Sequence, residues 1–138
     1  MTGTKTTRAC AIVGASGYTG RELLRLLAGH RILSATAVMT DMPDSVTEPP
    51  TTPQEPAIDP LDLDRLADVD GVVLRTPHGA ASEVARQALA RGAKVVDLSA
   101  DFRLRVTAIY RATYGAEHPA PELLAEAVYG LCEHARDA

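Results

Sequence analysis

Three glycines spaced three apart, Gly14, Gly17 and Gly20 in AIVGASGYTGRELLRLL (11–27), are the residues whose pattern most directly implies chemistry. That chemistry is anion binding. Gly14 ends an apolar run, where the chain must turn sharply. Gly17 offers backbone without a Cβ to an approaching ligand, and Gly20 falls in the first turn of a helix-patterned segment, where closeness to the preceding strand favours no side chain. The first N–H groups of a helix lack intrahelical partners, and the helix dipole favours negative charge at that end. The hydroxyls of Ser16, Tyr18 and Thr19 stand beside the same position. A diphosphate is the natural ligand of such a turn, although glycine turns also end strands for structural reasons alone.

Other reactive side chains give weaker signals. Cys132 and His134 are a Cys/His pair, but two residues apart in the tail they have no rigid element or third group to orient them, so they are not read as nucleophile and base. Cys10 and Cys132 lack metal-type spacing and are expected as two free thiols, Cys10 as a small core residue. His78 has no second histidine at ligand spacing, so no metal is expected. Arg75 stands at a strand position where an apolar residue is expected, and must reach solvent, a carboxylate or a phosphate.

The elements that must position these residues alternate along the chain. RACAIV (8–13) reads as a short buried strand, and Tyr18–Gly29 as a helix with Leu23, Leu24, Leu26 and Leu27 facing inward. LSATAVMT (33–40) is a second strand and GVVLRT (71–76) a third. A helix then runs from about Ala80 to Arg91, with Val84, Ala85, Ala88 and Leu89 at helical spacing, and AKVVDLS (93–99) is a fourth strand. Near-continuous apolar strands joined by helices predict a parallel sheet covered on both faces. Pro121 to Val128 reads as one more helix, with Pro at its start and Gly130 beyond its end. The fold expected is an α/β, Rossmann-type, doubly wound sheet of about four parallel strands in a single domain spanning 1–138. Its glycine turn follows the first strand, where a dinucleotide diphosphate sits in that fold.

Composition agrees and excludes other classes. The 138 residues are 46% hydrophobic but only 4% aromatic, with no Trp, so Ala, Val and Leu must build the core. A net charge of −4 argues against nucleic acid as a partner. No apolar run approaches the length that spans a bilayer, and the N-terminus lacks the apolar stretch of a secretion signal, so a cytoplasmic location is expected. Residues 41–60 hold six of the nine prolines and five acidic residues, with no Lys or Arg, which predicts an extended, flexible loop.

VGASGYTGRELLRLL, TPHGAAS, VVDLSADFRL, YGAEHPAPELL and EAVYGL, in this order, closely resemble the N-terminal part of the N-acetyl-γ-glutamyl-phosphate reductase family, which belongs with the aspartate-semialdehyde dehydrogenases. The resemblance covers nearly the whole chain except 41–60. It implies an NADP-dependent oxidoreductase of arginine biosynthesis that reduces an acyl phosphate to a semialdehyde through a thioester on a cysteine. Carried onto this sequence, it implies that Gly14 to Gly20 cradle the dinucleotide, with Thr40 at the end of the second strand, Pro77, His78 and Gly79 after the third, and Ser99 after the fourth bordering it. Arg103 is the implied substrate-phosphate ligand, since a guanidinium fork matches phosphate oxygens. A structural pair with Asp101 or another carboxylate is the competing role for Arg103.

Departures from the family pattern shape the expectation further. The family nucleophile lies in a GCYPT-type segment after YGL, and here YGLCEHARDA carries no such segment. Cys132 stands where the family has proline. The catalytic and substrate domain is therefore expected to be absent, and this chain alone inactive, with the missing domain or self-association as candidate partners besides the dinucleotide. Asp41 follows Thr40 where NADP-dependent members tend to carry a basic residue, and a carboxylate there repels a 2′-phosphate but can bond the ribose hydroxyls of NAD; the alternative is that Asp41 belongs to the flexible loop and touches nothing. The cofactor is thus NADP or NAD. A non-catalytic module that binds a nucleotide or a partner protein is the alternative reading.

Overall fold

The computed structural model describes residues 7–42, 56–130 and 133. Strand β1 (Arg8–Val13) runs into helix α1 (Tyr18–Ala28), β2 (Leu33–Thr40), a two-residue strand β3 (Asp59–Pro60) and a 3₁₀ helix, Leu63–Asp68. Then follow β4 (Gly71–Leu74), α2 (Ala81–Ala90), β5 (Lys94–Asp97), α3 (Thr107–Tyr114) and a single 3₁₀ turn at Pro121–Leu123. The strands form one sheet in the order β3-β2-β1-β4-β5, with every pairing parallel. The order reverses direction at β1, which is the switch point of a doubly wound sheet.

Alternation of side chains along the strands divides the core into two layers. Ile12 and Val38 point to one face and pack with Ala15, Leu24 and Leu27, seating α1. Ala11, Val13, Ala37, Met39, Val72 and Leu74 point to the other, against Ala81, Val84, Ala85 and Ala88 of α2 and Leu66 of the 3₁₀ helix. Small side chains on α2 let the helix approach the sheet closely, which is how a chain so poor in aromatics still closes its core.

The structure corrects several expectations. There are five strands rather than about four, because Asp59–Pro60, inside the segment expected to remain a loop, pairs with Met39–Thr40. Proline is tolerated there because an edge strand need not supply its N–H to a ladder. Leu61 N also donates to Thr40 O at 2.8 Å. Residues 43–55 of the expected loop lie outside the described residues. Leu26, predicted inward, is 55% exposed, and Leu89, read with the apolar residues at helical spacing, is 43% exposed. Each stands next to a buried position, Leu27 and Ala88, and the apolar stripe is narrower than the leucine count suggested. The expected helix over 121–128 is a 3₁₀ turn of three residues. The sheet is not covered on both faces throughout: among the described residues Val96 of β5 is 55% exposed, because α1 packs over β1 and β2 and does not reach β5. Helix α3, unforeseen, buries Tyr110 and closes with Gly115 in the left-handed conformation.

Candidate functional site

The glycine turn lies at the carboxyl end of β1, between β2 and β4. Gly14 N and Ala15 N both donate to Met39 O, at 2.9 and 3.1 Å, so β2 fixes the start of the turn. Gly14 has φ +88°, and a Cβ there would stand 1.9 Å from the carbonyl oxygen of Arg75. No other residue fits. A Cβ on Gly20 would stand 2.6 Å from Ala15 Cα, so the first turn of α1 rests directly on the loop. Gly17 is the N-cap of α1 and contributes no side-chain oxygen, and the first turn carries no acidic residue. The positive end of the helix is therefore left without a built-in anion.

The hydroxyls expected around this turn divide into two sets. Ser16 Oγ lies 3.1 Å from Thr40 Oγ1, which also accepts from Met42 N at 3.1 Å. Thr40 is buried, so this pair ties the turn to the end of β2 and orders the backbone around it. Tyr18, by contrast, is 94% exposed, and Thr19 is exposed beside it. Their backbone N–H groups remain at the helix start, but the Tyr18 ring projects into solvent. Asp41 follows β2 directly and is half-buried.

Two residues directly after β4 adjoin the same turn through their backbone, and one of them does so through its side chain as well. The Arg75 guanidinium lies over Gly17: a Cβ there would be 2.9 Å from Nη1 and 3.0 Å from Cζ. Next along the chain, Thr76 Oγ1 is buried without a hydrogen-bond partner. An uncapped helix start and a glycine cradle that a Cβ would fill together fit a diphosphate-bearing ligand.

Beyond β4 the loop carrying Pro77, His78 and Gly79 is held by a network that sequence reasoning missed. Asp101, fully buried, accepts from Gly79 N at 2.9 Å and Ser82 Oγ at 3.1 Å, and His78 Nδ1 stands 3.2 Å from its carboxylate. The Tyr110 hydroxyl meets His78 Nε2 at 3.1 Å, with the two rings stacked. Burial and the Asp101 carboxylate push the Tyr110 phenol up to about 12. His118 Nδ1 accepts from Ala120 N at 3.0 Å, which leaves its proton on Nε2, donated to Asp101 O at 2.8 Å. From sequence, Asp101 is a candidate partner for Arg103 only. The arrangement was legible in part, since a buried carboxylate must find donors, but which donors depends on α3.

Ser99 and Arg103 sit after β5. Ser99 Oγ donates to Asp97 at 2.8 Å and accepts from Asp101 N at 3.2 Å, closing a tight turn. Burial pushes the Asp97 carboxyl up, and its two bonds from Ser99 oppose that shift. Arg103 does not pair with Asp101. It is exposed, and its Nε donates to Ser99 O at 3.1 Å.

Cys10 is buried in β1, and burial pushes its thiol up. Cys132 and His134 lie outside the described residues. Among the described residues no cluster of His, Cys, Asp and Glu could hold a metal ion, and no helix is long and apolar enough to cross a membrane.

Comparisons with known proteins agree with this geometry. Residues 9–138 match the family described as semialdehyde dehydrogenase, NAD binding domain. The chain is similar to N-acetyl-gamma-glutamyl-phosphate reductase of Heliobacterium modesticaldum, 46% identical over 133 residues, covering 92% of this chain and 38% of that protein. The enzyme of the same name from Geobacillus kaustophilus is 41% identical over 133 residues, covering 93% and 39%. The chain thus spans well under half the length of these relatives. Among solved structures, aspartate semialdehyde dehydrogenase with NADP from Candida albicans superposes with a TM-score of 0.59 at 14% identity, covering 83% of this chain and 41% of that one. Apo scyllo-inositol dehydrogenase from Lactobacillus casei gives 0.55 at 21%, covering 69% and 29%. At such identities the likeness is one of fold.

Proposed function

The chain belongs to the semialdehyde dehydrogenase NAD-binding domain family, and from that premise we propose that it is the NAD(P)-binding part of an N-acetyl-γ-glutamyl-phosphate reductase. The observation that carries this reading is the glycine turn at the carboxyl edge of a parallel sheet, where Gly14 and Gly20 leave no room for a side chain and Gly17 opens a helix without a cap. In this reading the backbone N–H groups of 14–20 hold the diphosphate. The Ser16–Thr40 hydroxyl pair keeps the turn in shape, and Pro77, His78 and Ser99 border the cofactor from the ends of β4 and β5. The dinucleotide, when bound, supplies or accepts hydride.

What this chain's own residues do is bind and orient. Asp101 fixes the 78–82 segment through Gly79, Ser82 and His78, so the edge facing the nicotinamide side is rigid before the ligand arrives. In this reading Arg103, exposed and held by its Nε bond to Ser99 O within electrostatic reach of Asp97, takes the phosphate of an acyl-phosphate substrate. The reacting thiol, in this reading, belongs to another part of the enzyme, since Cys10 is buried in the sheet and Cys132 has only His134 beside it in sequence. The uncovered side of β5 around Val96 is where that remaining part packs.

Titration calorimetry with NADP and NAD tests the reading. The parent chain should bind at least one of them, and Gly17→Val, which fills the approach to the turn, should not. Equal affinity in the two proteins would remove the turn from the site.

A further inference from the structure

The side chain of Arg75 is the feature that the family resemblance does not explain. Its backbone is fixed: Arg75 N donates to Val13 O at 2.8 Å, and its carbonyl lies against Gly14. Only the side chain is free to choose a direction, and it turns toward the start of α1, with Nη1, Cζ and Nη2 at 2.9, 3.0 and 3.4 Å from where a Gly17 Cβ would stand. A cation is poorly placed there, because the start of a helix is itself the positive end of a dipole. Among the described residues no carboxylate compensates it, since Arg75 makes no ion pair or hydrogen bond through its guanidinium and the first turn of α1 holds no acidic residue. Next in sequence, the buried Thr76 hydroxyl is also unpartnered.

We propose that Arg75 is a diphosphate clamp: its guanidinium closes over the glycine turn and pairs with the diphosphate of the bound dinucleotide. The proposal rests on the dinucleotide reading given above. A doubly charged ligand at Gly17 satisfies the guanidinium fork and the open helix N–H groups together, turning an unfavourable pair of like charges into a binding site. The absence of a Cβ on Gly17 then has two purposes, since it admits the ligand and leaves room for the guanidinium. The contact is to a group that NAD and NADP share, so Arg75 sets affinity and does not choose between them.

Calorimetric titration of NAD and NADP into the parent chain, Arg75→Gln and Arg75→Lys, at low and high salt, tests this. Arg75→Gln should weaken both dinucleotides by the same factor, about tenfold or more, and flatten the salt dependence of binding. Arg75→Lys should restore part of the affinity as a point charge without the fork. Arg75 is exposed, so matched thermal melts are expected and confirm that each variant is folded. Unchanged affinity in Arg75→Gln overturns the clamp while leaving the dinucleotide site standing, and so does a loss confined to NADP, which would place the guanidinium on the 2′-phosphate. A parent chain that binds neither dinucleotide overturns the site and the clamp with it.

Discussion

Gly14 and Arg75 are locked together: a Cβ on Gly14 would stand 1.9 Å from the Arg75 carbonyl oxygen, at a backbone φ of +88°. The end of β1 and the end of β4 therefore touch through backbone alone. Gly14→Ala meets both a forbidden conformation and an immovable neighbour, and should lose roughly 3 kcal/mol or more. Gly115 also has positive φ, but a Cβ there meets nothing within 4 Å. Gly115→Ala should cost only about 1 kcal/mol. Urea unfolding of the two variants measures the difference, and equal losses would mean that conformation alone governs Gly14.

The Asp101 carboxylate makes a second, independent anchor. Asp101→Ala leaves Gly79 N, the Ser82 hydroxyl and His78 Nδ1 without their shared acceptor in a buried place. The expected loss is on the order of 2–4 kcal/mol. Asp101→Asn should fall between, since its oxygen still accepts while its amide faces donors. A stability unchanged in Asp101→Ala would show that water satisfies these donors.

Tyr110 gives the fold a pH dependence of definite sign. In the unfolded chain a phenol ionises near pH 10, and in the fold it is held up to about 12. The folded form keeps its proton longer, so this contribution is complete below pH 10 and is lost as the pH rises toward 12. Its size is roughly 2–3 kcal/mol. Burial raises the Cys10 thiol in the same sense, so the informative measurement is the difference between the parent and Tyr110→Phe. The variant should show a shallower fall in stability over pH 10–12. Parallel curves would mean that the phenol ionises freely in the fold.

Much of the frame was legible in the residues. RACAIV and LSATAVMT were read as strands with the bounds the structure gives, and the glycine turn between strand and helix was read from spacing alone. Local pattern failed where tertiary contact decides. Thr107–Tyr114 has only Tyr110 buried, so no apolar stripe marked it as a helix. The β3 pairing depends on where β2 ends, and its two residues, Asp and Pro, lack any strand propensity of their own. Of the site, the Gly14 requirement was legible because turns constrain backbone. The direction taken by the Arg75 side chain and the gathering of His78, Asp101 and Tyr110 were not, because these are set by elements distant in sequence.

Asp41 is expected to direct the choice of cofactor. It follows β2 directly, and a carboxylate that reaches the adenosine ribose there would bond its hydroxyls but repel a 2′-phosphate. The chain should therefore bind NAD more tightly than NADP, and Asp41→Arg should reverse the order. Competition titrations decide it. Tighter NADP binding by the parent would place Asp41 away from the ribose.

The chain by itself should show no reductase turnover. Reduction of an acyl phosphate through a thioester requires a thiolate that attacks the acyl carbon and a base to assist it. It also requires a nucleophile held within about 3–3.5 Å of the reacting atom. The sequence contains two cysteines. Cys10 lies inside β1, 4% exposed, with its Sγ directed at Ala11 O and its thiol pushed up by burial, so it is neither accessible nor readily ionised. Cys132 has in sequence only His134 as a neighbouring base, with no third group to orient the pair. The reverse reaction, semialdehyde with phosphate and NAD or NADP, can be followed by nicotinamide absorbance on the purified chain. No absorbance change is expected at any enzyme concentration that saturates dinucleotide binding. Turnover present in the parent and lost in Cys132→Ser would make Cys132 a nucleophile and the chain a complete catalyst. Turnover that survives in both Cys132→Ser and Cys10→Ser would require an acyl transfer that uses no thiol, and the reading of this chain as a binding part would fall.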